Sequence, residues 1–162
     1  MDVLFFSPGY PAEMPYFVRG LAEVGVRVWG MGDQPAAALP EVARWALSGH
    51  LQVPHLWDEA ALLQELRRWR GPRSLDRIEC LWEPGMLLAG RLREAMGLPG
   101  MTAAETLPFR DKGRMKEVLD RAGVRTPRHR RARTAREVLE AAEEVGYPVC
   151  VKPIAGAGSA DT

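Results

Sequence analysis

Lysine is nearly absent from this chain of 162 residues: Lys112, Lys116 and Lys152 stand against nineteen arginines. A GC-rich genome that favours arginine codons accounts for such a bias, and it makes each retained lysine informative. Lysine is a compact point charge on a flexible stem, whereas arginine is a planar fork. A site that needs one mobile ammonium against a phosphate resists the drift to arginine. Cysteine is scarce too. Cys80 and Cys150 each lie in an apolar stretch with no Cys or His at metal-ligand spacing, so both are expected to be small buried hydrophobes in strands. The three histidines, His50, His55 and His129, show no metal spacing and no catalytic partner. No metal site is therefore expected within the chain.

Long hydrophobic runs are missing as well. The run Val3-Leu4-Phe5-Phe6 follows no basic residue and is ended by Ser7-Pro8-Gly9. That is too short for the apolar region of a signal peptide or for a membrane span. A cytoplasmic protein with no membrane partner is the simplest expectation. Nor is there an excess of either charge: 22 Lys and Arg balance 21 Asp and Glu. Bulk charge gives no reason to expect nucleic acid.

What is present is alternation. An apolar strand at Asp2–Phe6 precedes a helical spacing of Met14, Phe17, Val18, Leu21 and Val24, with Pro15 near its start and Gly25 past its end. A strand at residues 26–29, a weak helix at 40–47 and a short strand at 50–53 follow. Asp58 is an N-cap for a helix carrying Leu62, Leu63, Leu66 and Trp69 and stopped at Gly71. A strand at 77–82 and a helix at Met86–Met96, closed by Gly97, complete the series. Such β-α-β-α order predicts an α/β fold, with a parallel, Rossmann-like sheet and helices on both faces. After about Ala104 the pattern shifts to a helix at 112–122, a strand near 127–132, a second helix and a strand at 149–151. The second helix opens with a capping box, Thr134 followed by Glu137, and carries Val138, Leu139, Ala142 and Val145 on its apolar face.

Two nucleotide-binding motifs fail. A dinucleotide fold wants G-x-G-x-x-G directly after the first strand, where this chain has Ser7-Pro8-Gly9-Tyr10-Pro11. A P-loop needs Lys and Ser or Thr after its glycines, and no such sequence occurs.

The late segments form a specific series when taken in order. Phe109-Arg110-Asp111-Lys112 opens a helix, Ala122-Gly123-Val124-Arg125-Thr126-Pro127 follows, and the capping-box helix leads to Gly146-Tyr147-Pro148-Val149-Cys150-Val151-Lys152-Pro153 and Gly156-Ala157-Gly158-Ser159. This order and spacing closely resemble the start of the ATP-grasp domain. The direct match covers residues 109 to 162. The region before it resembles the preceding domain of ATP-grasp enzymes in topology and in Glu83 with Gly97-Leu98-Pro99-Gly100.

The resemblance implies a division into a Rossmann-like pre-ATP-grasp domain at 1–106 and the beginning of an ATP-grasp domain at 107–162. The latter comprises a linker helix at 110–122 and the first part of an α+β lid subdomain at 124–162. It implies ATP phosphate contacts by Lys152 and Lys112, a covering loop of Gly156, Gly158 and Ser159, and a substrate contact by Glu83. ATP and Mg²⁺ are the implied cofactors, and a small carboxylate is the implied substrate; a homodimer is compatible with this reading. Lys116 is expected to be surface. Catalytic residues and Mg²⁺ ligands are expected beyond residue 162, so this chain alone is expected to be inactive. The alternative is a non-catalytic remnant, or a nucleic-acid module using the arginine run from 121 to 136. A solvated face is the plainer reading of that run, because no aromatic interleaves it.

Overall fold

A computed structural model describes residues 1–156 of the chain. It divides into two compact units, Met1–Ala104 and Glu105–Thr162.

The first unit is built on four parallel strands: β1 (Asp2–Phe6), β2 (Arg27–Gly32), β3 (Leu47–Gln52) and β4 (Arg77–Glu79). Their order in the sheet is β3-β2-β1-β4. Helices α1 (Met14–Glu23), α2 (Glu41–Ala46) and α3 (Glu59–Arg70) join successive strands, and α4 (Met86–Met96) follows β4. The chain first builds outward from β1 and then crosses back to place β4 on its other side. Neighbouring crossovers leave in opposite directions between β1 and β4, and crevices at the carboxyl ends of such strands are where ligands of open α/β sheets bind.

All five residues of β1 are buried, as a central parallel strand covered on both faces requires. Successive side chains feed different cores. Leu4 and Phe6 pack with Met31, Ile78, Leu62, Leu66, Leu88 and Leu92, while Phe5 packs with Met14, Val18 and Val28. At the amino end of the sheet, the buried Asp2 carboxylate accepts from Trp29 Nε1 at 3.0 Å and pairs with Arg27 Nε at 2.7 Å. In α4, buried Arg93 donates through Nε to the Ile78 carbonyl at 2.7 Å and through a terminal nitrogen to that of Met101 at 2.9 Å. Asp58 caps α3 through the Ala61 N–H at 3.0 Å, as its sequence position predicts.

The division between the units falls within α5 (Ala103–Arg110), which is not among the helices expected from the sequence and which carries Pro108 in its interior. The second unit then contains α6 (Lys112–Arg121) and α7 (Ala135–Val145). Asp111 caps α6 by accepting from the Arg114 N–H at 2.9 Å. Thr134 caps α7 through the Glu137 N–H at 3.2 Å, and the Glu137 carboxylate accepts in return from the Arg133 N–H at 2.6 Å. The reciprocal capping box therefore forms.

Three expectations need correction. Residues 127–132 and 149–151 are not strands, because among the described residues neither segment finds a partner ladder. A run of β-formers becomes a strand only when another strand satisfies its N–H and C=O groups. Leu139 on α7 is exposed rather than core, and only Ala142 of its apolar face is buried. The cysteines also separate. Cys80 is buried one residue beyond β4, whereas Cys150 is exposed, since its segment has no covering layer among the described residues.

Candidate functional site

The second unit gathers part of the series read from the sequence. Asp111 is the single non-helical residue between α5 and α6, so Lys112 starts the second helix and meets residues 154–156 there. The Lys112 N–H donates to the Ile154 carbonyl at 3.1 Å, and its Nζ donates to the Gly156 carbonyl at 2.9 Å. Buried Arg110 donates to the Ala155 carbonyl at 3.0 Å. Two residues thus hold three consecutive carbonyls at the start of the glycine-rich loop, two of them through cationic side chains. Arg110 belongs to the ATP-grasp-like series, but nothing in the sequence gives it a role of its own. Its one signal is its place two residues before Lys112, across the Asp111 cap.

Lys152 is exposed, and no hydrogen bond or ion pair to it is found among the described residues. Its ammonium is therefore free to meet an external anion. Gly158 and Ser159, the rest of the expected loop, lie outside the described residues. Lys116 departs from the surface expectation: it is half-buried, with Nζ 3.5 Å from the Pro127 carbonyl.

Arg131 is a second residue to which the sequence gives no individual role. One of its terminal nitrogens donates to both Asp111 carboxylate oxygens, at 2.6 and 2.5 Å. The Arg114 N–H is the main cause that holds the Asp111 carboxyl below the usual carboxylate range; burial opposes it, and Arg131 adds to it. The guanidinium lies where a Cβ on Gly113 would be, so the helix start admits it only because residue 113 has no side chain. Other arginines of the basic run are also engaged with acids. Arg130 pairs with Glu144 at 3.4 Å and Arg136 with Glu140 at 2.8 Å. This internal neutralisation suits a solvated face and leaves less free charge for a phosphate backbone.

In the first unit, a cavity of about 240 Å³ opens at the carboxyl ends of the strands. Its lining comes from the turn after β1, the turn after β2, His50 of β3, Leu56 and Trp57 after β3, and Trp82 after β4. Glu83, the expected substrate contact, is exposed and follows Trp82, but is not itself among the lining residues. Among the described residues no group of three or more His, Cys, Asp and Glu side chains could hold a metal. No helix among them is long and apolar enough to cross a membrane.

Residues 111–161 match the family described as the carbamoyl-phosphate synthase L chain, ATP binding domain. A carbamoyl phosphate synthase large chain from Thermus thermophilus is 30% identical over 156 residues, covering 90% of this chain and 15% of the relative. The crystal structure of L-amino acid ligase from Bacillus licheniformis aligns with a TM-score of 0.74 and 22% identity, over 96% of this chain and 37% of that one. N5-carboxyaminoimidazole synthetase from Staphylococcus aureus, complexed with ADP, aligns at 0.66 and 19% identity, over 96% and 39%. The two structures establish likeness of fold. The chain spans well under half the length of each of these proteins.

Proposed function

We propose, from the resemblance to the ATP-grasp superfamily that these matches bear out, that the chain is the N-terminal part of an ATP-dependent ligase. The full enzyme activates a carboxylate as an acyl phosphate, which an amine or similar nucleophile then attacks. The observation that carries this reading is the meeting of Lys112 Nζ with the Gly156 carbonyl at 2.9 Å, inside the matched span. It joins the Asp-Lys helix start to the glycine loop, two motifs far apart in sequence.

The side chains present fit a polyphosphate. Lys152 offers an ammonium with no partner among the described residues, and Arg110 and Lys112 are already gathered at the loop. ATP supplies the phosphoryl group, and the work of these residues is to bind it, orient it and balance its charge. Phosphoryl transfer depends almost wholly on such positioning and electrostatics. With ATP bound, Lys112 Nζ would exchange the Gly156 carbonyl for a phosphate oxygen. Mg²⁺ does not fit the described residues, among which no group of three or more His, Cys, Asp and Glu side chains could hold a metal.

The test is ADP binding to the intact protein by calorimetry. Lys152→Ala and Lys112→Ala should each weaken binding, by about tenfold or more for the loss of a charge-assisted contact. Unchanged affinity in both variants would refute the assignment.

A further inference from the structure

The cavity at the sheet rim has an unusual lining. Tyr10 and Trp57 are 57% and 58% exposed, so the molecule leaves two large aromatic rings facing solvent at one place. Both lean on Trp82: Tyr10 meets it edge-on at 5.7 Å between centroids, and Trp57 lies tilted at 5.5 Å. The three rings make a continuous wall, and Leu39 and Leu56 add an apolar floor. Ionic side chains are few. Asp33 is the single carboxylate of the lining, and no Lys or Arg is among the lining residues.

The backbone is shaped to hold this wall. Ser7 sits in the left-handed region at φ 57°, a conformation that costs a non-glycine residue energy. Its N–H donates to the Met31 carbonyl at 2.7 Å and its hydroxyl to that of Tyr10 at 2.7 Å. These bonds fix the turn that presents the Tyr10 ring. Across the cavity, His50 Nε2 donates to the Gln34 carbonyl at 2.8 Å. That bond leaves Nδ1 as a buried acceptor with no partner, packed where a Cβ on Gly30 would be. Burial holds this imidazole in its neutral form, against the opposing effect of the Gln34 bond.

We infer that this cavity binds a primary ammonium group carried on an apolar or aromatic stem. Aromatic faces attract cations through the ring quadrupole, most strongly for Trp, and Asp33 supplies the counter-charge. An anion, by contrast, would meet a carboxylate and an aromatic wall, with no Lys or Arg among the lining residues to receive it. A phosphate or a free carboxylate is therefore the wrong ligand for this cavity, although the fold offers its usual ligand position there. The inference rests on the ligase reading and deepens it, by assigning the cavity to the amine rather than to the carboxylate.

Three probes of one shape separate the chemistries: 2-phenylethylamine, 2-phenylethanol and 3-phenylpropionate, titrated into the intact protein by calorimetry near neutral pH. The amine should bind about tenfold or more tighter than the alcohol, and the carboxylate should bind weakest. Asp33→Asn should bring the amine close to the alcohol, and Trp57→Leu should weaken the amine more than the carboxylate. Asp33 is exposed and only its backbone carbonyl is engaged, by Gln52 at 3.2 Å, so the Asn variant keeps the fold. Equal affinity for amine and alcohol, a preference for the carboxylate, no binding of any probe, or indifference to Asp33→Asn would overturn the inference. ADP affinity measured on the same samples separates the two failures. Intact nucleotide binding without amine preference sinks this inference alone, and loss of Lys-dependent nucleotide binding sinks the ligase reading.

Discussion

Lys112 reaches across the second unit and donates from Nζ to the carbonyl of Gly156 at 2.9 Å, while its own N–H donates to the carbonyl of Ile154 at 3.1 Å. One residue at the start of α6 thus pins the stem of the glycine-rich loop twice. The backbone bond survives substitution and the side-chain bond does not. Lys112→Met should therefore leave α6 intact and loosen residues 155 and 156. Amide hydrogen exchange should rise at Gly156 with little change within α6. Equal protection in both proteins would show that the ammonium contact does not hold the loop.

Acid should loosen the beginning of α6 only once pH falls below the ordinary carboxylate range. The Asp111 carboxyl lies below its ordinary value near 3.8 because the folded state stabilises its charged form. Its contribution is therefore complete above about pH 4 and is lost as pH falls through the lower, folded value. Protonation there releases Arg131 and weakens the helix cap together. Asp111→Asn keeps an N-cap acceptor but not the charge, and so should abolish the part of the acid response that belongs to Arg131. NMR titration of the Arg114 and Arg131 side chains and of the Arg114 amide checks this. A wild-type response centred above pH 5 would contradict it.

Gly90 lies on the face of α4 against the chain at residues 102–103, where an added Cβ would come 2.7 Å from the Ala103 nitrogen. Backbone cannot step aside as a side-chain tip can. Gly90→Ala should destabilise the first unit by about 1–3 kcal/mol, even though alanine is the better helix former. Urea denaturation monitored by tryptophan fluorescence reads the difference. A stabilised variant would mean that the contact gives way freely.

The two thiols should differ sharply. Burial pushes the Cys80 thiol up to about 12, with the Trp82 carbonyl contact opposing it, and little thiolate exists at neutral pH. Cys150 is exposed. A maleimide should label Cys150 in the native protein and reach Cys80 only after denaturation. Mass spectrometry of the labelled peptides decides it, and native labelling of Cys80 would contradict the packing described for the first core.

The first unit was largely legible in the sequence because its signals are local. β1 coincides with its apolar run, α4 ends at Gly97 as expected, and the Asp58 cap forms. The second unit was less legible, since strand formation at 127–132 and 149–151 depends on partners that no local pattern supplies. α5 was hidden by Pro108, which reads as a breaker. In the candidate site, Lys112 and Gly156 carry motif signals in the sequence, and the structure brings the two together. Arg110 and Arg131 carry none, because their partners are a backbone carbonyl and a capping carboxylate distant in sequence. The cavity wall was invisible for the same reason: Tyr10, Trp57 and Trp82 come together only when the carboxyl ends of β1, β3 and β4 lie along one rim of the folded sheet.

The proposed chemistry turns on which bond of ATP is broken and what receives the fragment. In an acyl-phosphate mechanism the carboxylate takes the γ-phosphoryl group, ADP leaves, and hydroxylamine attacks the acyl carbon to give a hydroxamate and inorganic phosphate. The direct measurement supplies the full enzyme, of which this chain is proposed to be the N-terminal part, with ATP, Mg²⁺, hydroxylamine and a panel of free carboxylic acids, and quantifies nucleotides and hydroxamate together. ADP and hydroxamate should appear in equal amounts with one acid of the panel. Most of both should be lost in Lys152→Arg, because a planar fork cannot replace a point charge there. Hydroxamate formed with AMP and pyrophosphate, or formed undiminished by Lys152→Arg, would contradict the acyl-phosphate reading.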